Sequence, residues 1–325
     1  MKRRNFCIAS AGMGALAMRG PAFARDKYPA RPISYVVPVA AGGGSDYVAR
    51  ATTTLWGKAL GATFVVENLG GGGGVIACQK TRRADPDGYT LMQGYVATLG
   101  TSPATRRVPY DPIKDFTPIA MIGGTPNVLV VDASLPVRNF QEFVGFMKAG
   151  GPHNYGSAGA GTLSHLLMEM LKARLGIAPA HVSYKGIAPA INDLLGGQTQ
   201  AMFPGLAAAV PHLSGGKLRA LAVTGEQRAK RYPDIPTFKE LGVGDFDDVL
   251  QWYGVSGPAG MAPSTVAALN ETLGKVLLDP ELEKLLAVEA VVPMRMTPAE
   301  FDAYVRKDLA RWTRLAQAQN IRLDA

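Results

Sequence analysis

The sequence predicts a two-lobed α/β protein in which each lobe is a mixed, mostly parallel sheet flanked by helices. The chain has 325 residues, which is more than a single hydrophobic core usually covers. Its composition, with 47% hydrophobic residues, 38 glycines and 23 prolines, is that of a globular protein rich in turns. From Pro32 onwards, short β-rich segments alternate with helical ones, which is the pattern of βαβ units.

The first lobe opens with two such units, and we expect it to span residues 25–127 and 250–325. Apolar side chains recur at helical spacing in its helices, and Gly61 is a typical helix end. A capping box at Thr297 and Glu300 starts a last helix, which we expect to pack on this lobe. The predicted elements are strands over 33–39, 64–67, 89–93 and 252–256, and helices that end at 60 and near 83.

The second lobe is expected to be an insertion over residues 128–249. Its clearest helix carries a leucine and methionine stripe and ends at Gly176. The predicted elements are strands over 128–131, 181–184, 200–203 and 218–223, and helices over 163–175 and 189–195. An inserted lobe makes two chain crossings, and such crossings are natural hinges.

The first 24 residues have the features of a secretion signal. A basic start precedes a short apolar run, and the sequence Ala22-Phe23-Ala24 predicts cleavage after Ala24. The pair Arg3-Arg4 is also compatible with twin-arginine export. The apolar run is too short to span a bilayer, and no later stretch is long and uncharged enough to do so. Cleavage would remove the basic residues Lys2, Arg3, Arg4 and Arg19 and lower the net charge from +8 to +4.

The composition argues against several kinds of site. No dense basic run with interleaved aromatic residues is present, so nucleic-acid binding is not predicted. Cys7 lies in the leader and Cys78 in a predicted helix, so the mature chain can form no internal disulfide, and Cys78 is expected to be a small buried residue. Of the four histidines, His153, His181 and His212 lack zinc-ligand spacing, and we expect neither a metal nor a cofactor.

Two glycine-rich segments between strands and helices are the main candidates for a site. Turn 1 spans residues 38–46 and turn 2 spans residues 157–162, and one lies in each lobe. Glycine lets the backbone approach a ligand closely, and the first N–H groups of the following helix favour an anion. Each segment could instead be only a tight turn. The candidate residues are Gly42, Gly43, Ser45 and Asp46 from turn 1, and Ser157, Gly159, Gly161 and Thr162 from turn 2.

Several neighbouring side chains have two possible roles. Asp46 would cap its helix, or accept a hydrogen bond from an amine or water on the ligand. His165 lies off the leucine stripe and could donate to a ligand oxygen or pack on the loop. Tyr184 and Lys185 end a strand, where Lys185 could pair with a carboxylate or remain solvated. Phe203 could form an apolar wall of the pocket or belong to the core.

The sequence gives little support for catalysis or nucleotide binding. Neither turn matches G-x-x-x-x-G-K-[ST], and neither has the acidic ribose partner of a dinucleotide site. Ser45 or Ser157 could be placed in a triad with His165 and Asp46, but no G-x-S-x-G elbow is present. We therefore expect no catalytic residue, and an exported hydrolase remains an alternative.

The chain resembles the Bug solute-binding proteins of tripartite tricarboxylate transporters, also called TctC-like proteins, over nearly its whole mature length. The residues that carry this resemblance are Tyr28-Pro29, Arg31-Pro32-Ile33, Val36-Val37-Pro38, Gly42-Gly43, Asp46, Val66-Glu67-Asn68, Pro86-Asp87-Gly88-Tyr89-Thr90-Leu91, Asp111-Pro112, Lys114-Asp115-Phe116, Gly161-Thr162, His165, Tyr184-Lys185-Gly186, Asp193-Leu194-Leu195-Gly196-Gly197, Leu221-Ala222-Val223-Thr224, Pro236-Thr237, Glu240-Leu241-Gly242 and Trp252-Tyr253-Gly254.

The resemblance implies a periplasmic, two-lobed flytrap of the type II binding-protein fold that holds a carboxylic acid through both turns. The ligand would be a mono- or dicarboxylate, which could be aromatic, and the partner a membrane permease. A sensor kinase is an alternative partner and another oxyanion an alternative ligand, and we expect a monomer. The chain departs from the family at Pro204-Gly205-Leu206, which would make the deep end of the pocket more apolar.

Overall fold

The computed structural model describes residues 28–323, and these residues form two β-sheets with helices packed on them. The predicted leader and its cleavage site after Ala24 lie outside the described residues. Within the described chain, every helix is too short or too polar to cross a membrane. The two mixed sheets with flanking helices confirm the predicted α/β fold of two lobes.

Sheet 1 has six strands in the order β11-β4-β10-β3-β1-β2. Strand β1 pairs in parallel with β2 and β3, whereas β10 pairs antiparallel with β3 and β4, and β11 pairs antiparallel with β4. Its strands are β1 (Ile33–Val37), β2 (Phe64–Asn68), β3 (Thr90–Tyr95), β4 (Phe116–Thr125), β10 (Gln251–Pro258) and β11 (Val292–Pro293).

Sheet 2 has five strands in the order β7-β6-β8-β5-β9. Strand β6 pairs in parallel with β7 and β8, and β5 pairs antiparallel with β8 and β9. Contrary to the prediction of mostly parallel sheets, parallel pairs do not predominate in either sheet, because strands outside the βαβ units run back against them. The strands are β5 (Val128–Asp132), β6 (Asn154–Ser157), β7 (Ala180–Ser183), β8 (Ala201–Met202) and β9 (Leu218–Val223).

Helices cover both sheets, and their ends follow local signals in the sequence. Helix α1 ends at Gly61 and α5 at Gly176, both with left-handed φ, and the capping box of Thr297 and Glu300 starts α10. Helix α10 packs on α3 and β4, as expected. The helices are α1 (Gly44–Leu60), α2 (Val75–Arg82), α3 (Ser102–Thr105), α4 (Phe140–Lys148), α5 (Leu163–Leu175), α6 (Ile187–Leu195), α7 (Leu206–Ser214), α8 (Pro263–Val276), α9 (Pro280–Leu286) and α10 (Pro298–Ala318).

The strands β4 and β10 lie side by side where the chain passes between the sheets. Their antiparallel pairing runs from Phe116 opposite Pro258 to Thr125 opposite Gln251. Beyond Thr125, the backbone N–H of Asn127 donates to Thr224 Oγ1 at 2.9 Å, and the Asn127 carbonyl accepts from the Thr224 N–H. The two connections between the sheets are therefore neighbours in space.

Candidate functional site

Turn 1 presents an uncapped helix start to open space. Gly43 is the N-cap of α1, and no side chain caps this helix, whose first N–H groups have no partner within the helix. Gly42 and Gly43 are exposed, and a Cβ added to either would meet no atom within 4 Å. Gly42 has φ +89°, a backbone conformation that glycine adopts without strain. The turn thus exposes the positive end of a 17-residue helix.

Asp46 lies in the first turn of α1, and its side chain binds back to turn 1. Its carboxylate accepts the Gly42 N–H at 2.9 Å, the Asn68 amide at 2.9 Å and the Arg50 guanidinium at 3.0 Å. The hydrogen bonds from Arg50 and Gly42 outweigh desolvation and lower the pKa of Asp46. The expectation that Asp46 is the helix cap was wrong, since Gly43 has that position. Asp46 is buried and neutralised, so it orders the turn and does not face a ligand as an unpaired charge.

Two further side chains flank the start of α1. The Gln93 amide donates to Ser45 Oγ at 2.7 Å and to the Ser45 carbonyl at 3.0 Å. The carboxyl group of Glu289 lies over Gly44, where its Cδ is 2.9 Å from the position of an added Cβ. Burial raises the pKa of Glu289. Sequence reasoning missed both Gln93 and Glu289. The position of Gln93 at the end of a strand was the one available signal.

Most backbone N–H groups of turn 2 already have an acceptor in the protein. Gly159 donates to Ser157 Oγ at 3.1 Å, Gly161 donates to His165 Nδ1 at 3.0 Å, and Thr162 donates to the Gly159 carbonyl at 3.2 Å. The Ala158 N–H donates to Ser164 Oγ, and that of Ala160 donates to Ser183 Oγ. Turn 2 is therefore a rigid loop, and it offers fewer free donors than turn 1.

A stack of three aromatic rings contacts turn 2 through His181 and His165. His181 lies between Tyr155 and His165, with ring centroids 4.9 and 4.0 Å away. Desolvation lowers the pKa of His165 and, together with the neighbouring His165, lowers that of His181 to about 4. Both rings are therefore neutral at neutral pH. His165 is 7% exposed, so it holds Gly161 in place and does not project into solvent.

An acidic group and an ammonium group face this stack from α5. Glu169 accepts hydrogen bonds from Tyr155 and from Lys172, the latter at 2.7 Å, and lies 4.0 Å from His165 Nε2. The bonds from Lys172 and Tyr155 hold the pKa of Glu169 low despite its burial. Glu169 and Lys172 thus neutralise each other beside the neutral histidines.

Ser157 and His181 form a contact that resembles part of a catalytic pair. Ser157 Oγ lies 2.7 Å from His181 Nε2, but Ser157 is 0% exposed and its Oγ also binds the backbone of Gly159. His181 has no ion pair with a carboxylate among residues 28–323. The geometry therefore fits a structural role for this contact better than attack on a substrate.

The remaining predicted site residues lie in different surroundings. Tyr184 donates its hydroxyl to Asp193 at 2.8 Å, and Lys185 is exposed beside turn 2. Phe203 is 0% exposed and packs in the core against Phe238 and Phe246, with ring centroids 5.6 and 6.2 Å away. Phe203 therefore belongs to the core.

The glycine run Gly70–Gly74 and the side chain of Arg106 lie between turn 1 and turn 2. An added Cβ would lie 3.0 Å from Ala40 N at Gly70 and 3.8 Å from Arg106 Nη1 at Gly73. Arg106 Nη2 in turn donates to the carbonyl of Ala160 in turn 2, at 3.4 Å. The two turns thus border the same region between the lobes. Open grooves of about 650, 640 and 550 Å³ lie elsewhere, and no residue of either turn lines them.

Other reactive groups do not form a second centre in the described chain. Residues 28–323 contain no cluster of three or more histidine, cysteine, aspartate or glutamate side chains that could hold a metal ion. Cys78 is buried and free, and desolvation raises its pKa to about 12. The thiol is thus a buried core group, as predicted.

Comparison with known proteins gives consistent matches over nearly the whole chain. Residues 48–321 match the tripartite tricarboxylate transporter family receptor, TctC. Protein BugT of Bordetella pertussis is 32% identical over 322 residues, which cover 97% of this chain and 96% of that protein.

Two solved structures with bound acids are also similar. Rpa4515 of R. palustris with adipate has a TM-score of 0.80 and 31% identity, and the match covers 91% of this chain and 99% of that chain. MatC from Rhodopseudomonas palustris with bound malate has a TM-score of 0.76 and 31% identity, covering 89% and 99% respectively.

Proposed function

Because the chain belongs to the family of tripartite tricarboxylate transporter receptors, we propose that it captures a small organic carboxylate between its two lobes. It then delivers this ligand to the membrane permease of such a transporter. The related structures with adipate and malate support an acidic ligand. Binding energy drives the closure of the lobes, and no bond in the ligand is broken.

The observation that carries this proposal is the uncapped start of α1. Gly42 and Gly43 leave room for an anion against the backbone, and Ser45 adds a hydroxyl that Gln93 orients. A carboxylate there would accept hydrogen bonds from N–H groups that have no acceptor among residues 28–323, and it would interact favourably with the helix dipole. Asp46 is neutralised by Arg50, so its repulsion of this anion is weak.

Turn 2 supplies the opposing wall of the proposed site. Its glycines, Gly159 and Gly161, have φ of +138° and +75°, and the ring of His165 fixes the second of them. Most N–H groups of turn 2 already have acceptors in the protein, so this turn offers few free backbone donors. Its contribution to the site would be the shape of its wall, the side chain of Thr162 and the nearby charge of Lys185. Ordered water could bridge the remaining distance to the ligand.

The lobes proposed to close on the ligand comprise residues 25–127 with 250–325, and residues 128–249. Hinge bending would occur where the chain passes Asn127 and Leu250. The protein would reach the periplasm after cleavage of the leader at Ala24, which N-terminal sequencing of the exported protein can test. It would act as a monomer.

Calorimetry on the mature protein tests the ligand class. The panel contains straight-chain and aromatic mono- and dicarboxylates, amino acids, phosphate, sulfate and neutral sugars. We expect micromolar or tighter binding of at least one carboxylate. A neutral sugar or an inorganic oxyanion as the sole binder would refute the carboxylate proposal.

Uptake by cells tests the proposed partner. Deletion of the gene should abolish uptake of the radiolabelled ligand, and expression of the intact chain should restore it. Normal uptake together with loss of ligand-induced gene expression would instead indicate that the partner of the chain is a membrane sensor kinase.

The contact between Ser157 and His181 favours one second candidate, an exported hydrolase. Ser157 Oγ lies 2.7 Å from His181 Nε2, as a nucleophile and its base would. Turnover of ester substrates that Ser157→Ala abolishes would support this candidate. Its absence, with ligand binding retained, would support the binding protein.

A further inference from the structure

We infer that Arg106 makes the site selective for dicarboxylates, because its guanidinium binds the second acidic group of a ligand whose first carboxylate lies on turn 1. This inference rests on the proposed function and assigns one more residue to that site. It follows from the position of Arg106, its unneutralised charge and its access to solvent.

Arg106 lies between the elements that border the proposed site. It directly follows α3, and its side chain extends from lobe 1 to turn 2, where Nη2 donates to the Ala160 carbonyl at 3.4 Å. On the lobe 1 side, Nη1 is 3.8 Å from the Cβ position of Gly73, and Ser102 Oγ is 3.5 Å from the same position. A Cβ at position 73 would therefore be in van der Waals contact with the guanidinium.

The charge of Arg106 has no counterion in the described chain. No carboxylate of residues 28–323 forms an ion pair with it, and the long bond to Ala160 is the one hydrogen bond that its guanidinium makes there. Its Nε is buried and donates to no acceptor among these residues. A guanidinium has five N–H donors, and a buried donor without an acceptor is destabilising. An incoming anion would supply the missing acceptors.

The guanidinium is also reachable from solvent. Arg106 is partly exposed, and Gly73, whose Cβ position lies 3.8 Å from its Nη1, is exposed. The neighbouring Gly71, Gly72 and Gly73 are exposed and carry no side chain, which leaves open backbone surface beside the arginine. An anion can therefore approach from the side of the glycine run.

A carboxylate is the group that this arrangement fits best. Arginine and carboxylate form paired, charge-assisted hydrogen bonds, which lysine cannot reproduce with the same geometry. A monocarboxylate on turn 1 would leave Arg106 without a counterion, whereas a dicarboxylate would satisfy both ends of the site. Arg106 therefore determines specificity, and it contributes nothing to a monoacid.

Matched acid pairs test this inference by calorimetry. Each pair has one diacid and one monoacid of the same carbon skeleton: succinate and butyrate, adipate and hexanoate, phthalate and 2-methylbenzoate. For the diacid bound best, Arg106→Gln should raise Kd by about 10- to 100-fold, the range expected for one to two charge-assisted hydrogen bonds. The Kd of the matched monoacid should change less than about twofold. Arg106→Lys should give an intermediate loss for the diacid.

Two controls separate this role from a structural one. Arg83→Gln removes the same charge from an exposed site at the end of α2 and should leave all affinities unchanged. Thermal unfolding of Arg106→Gln should match that of the wild type. Equal losses for diacid and monoacid would show that Arg106 only joins the lobes through Ala160, and no loss would show that it does not touch the ligand. Either result overturns the inference and leaves the proposed function intact, whereas a wild-type protein that binds no acid refutes both.

Discussion

Acidification should destabilise the protein through His181. The ring is stacked between Tyr155 and His165, and its Nε2 lies 2.7 Å from Ser157 Oγ. Burial and the adjacent His165 lower its pKa from 6.5 to about 4. Between these two values the unfolded chain binds the proton and the folded chain does not. Stability is therefore expected to fall as the pH drops through this window.

The size of the effect follows from the shift in pKa. A histidine that titrates at 6.5 when unfolded and at about 4 when folded loses about 2.5 kcal/mol of stability between pH 7.5 and 4.5. Solvent screens a half-buried ring, so we expect about 1.5 kcal/mol. Glu169, whose folded pKa is lowered, acts in the same direction. Asp308 acts in the opposite direction, because burial raises its pKa to about 6 and its stabilisation is lost as the pH rises.

A difference measurement isolates His181 from these other groups. Urea unfolding of the wild type and of His181→Asn is followed by circular dichroism at pH 7.5 and 4.5. The variant should be less stable at pH 7.5, since it loses the ring stack, and the gap between the two proteins should narrow by about 1.5 kcal/mol at pH 4.5. His212→Asn, on α7, changes a histidine outside the stack and should follow the wild type at both pH values. A gap that stays constant with pH would refute the assignment of a lowered pKa to His181.

Three further outcomes are expected, two from glycine substitutions and one from chemical labelling. Gly43→Ala should weaken carboxylate binding in calorimetry by about tenfold with little change in Tm, because the added methyl group meets no protein atom and occupies the ligand side of turn 1; unchanged affinity would argue against that site. Gly254→Ala should lower the free energy of unfolding by about 1 to 3 kcal/mol in urea titrations, since its Cβ would overlap the ring of Phe301, whereas Gly145→Ala, in open space on α4, should be neutral or stabilising. Cys78 should resist a thiol reagent in the native protein and react after unfolding, and rapid native labelling would contradict its burial and its pKa of about 12.

Sequence patterns were sufficient for elements with strong local signals. Helix α5 runs from Leu163 to Leu175, as its apolar stripe and Gly176 predicted, and β9 has the predicted ends. Other elements were missed because proline conceals them. Pro118 lies inside β4, at an irregularity in its pairing with β10, and Pro211 lies inside α7. A proline in such positions favours a loop when only the local sequence is considered.

The candidate site could be predicted only in part. The spacing of the glycines indicated both turns, since a chain that needs positive φ before a helix uses glycine. Which N–H groups remain free depends on contacts that are distant in sequence, such as that of Ala160 with Ser183. The positions of Arg106 and Glu289 beside the turns likewise follow from the packing of segments far apart in the chain. Local pattern carries no information about such contacts.

The adjacent strands β4 and β10 limit how the lobes can move. Because Thr125 and Gln251 are cross-strand partners, the two connections leave sheet 1 side by side, at the end of the two-stranded ribbon of β4 and β10. A ribbon of this kind bends across its width more easily than it stretches or shears, so the lobes would differ between conformations mainly by a single angle. If the protein functions as proposed, a membrane partner that distinguishes the ligand-bound form from the empty one would need to measure only that angle, whatever the ligand.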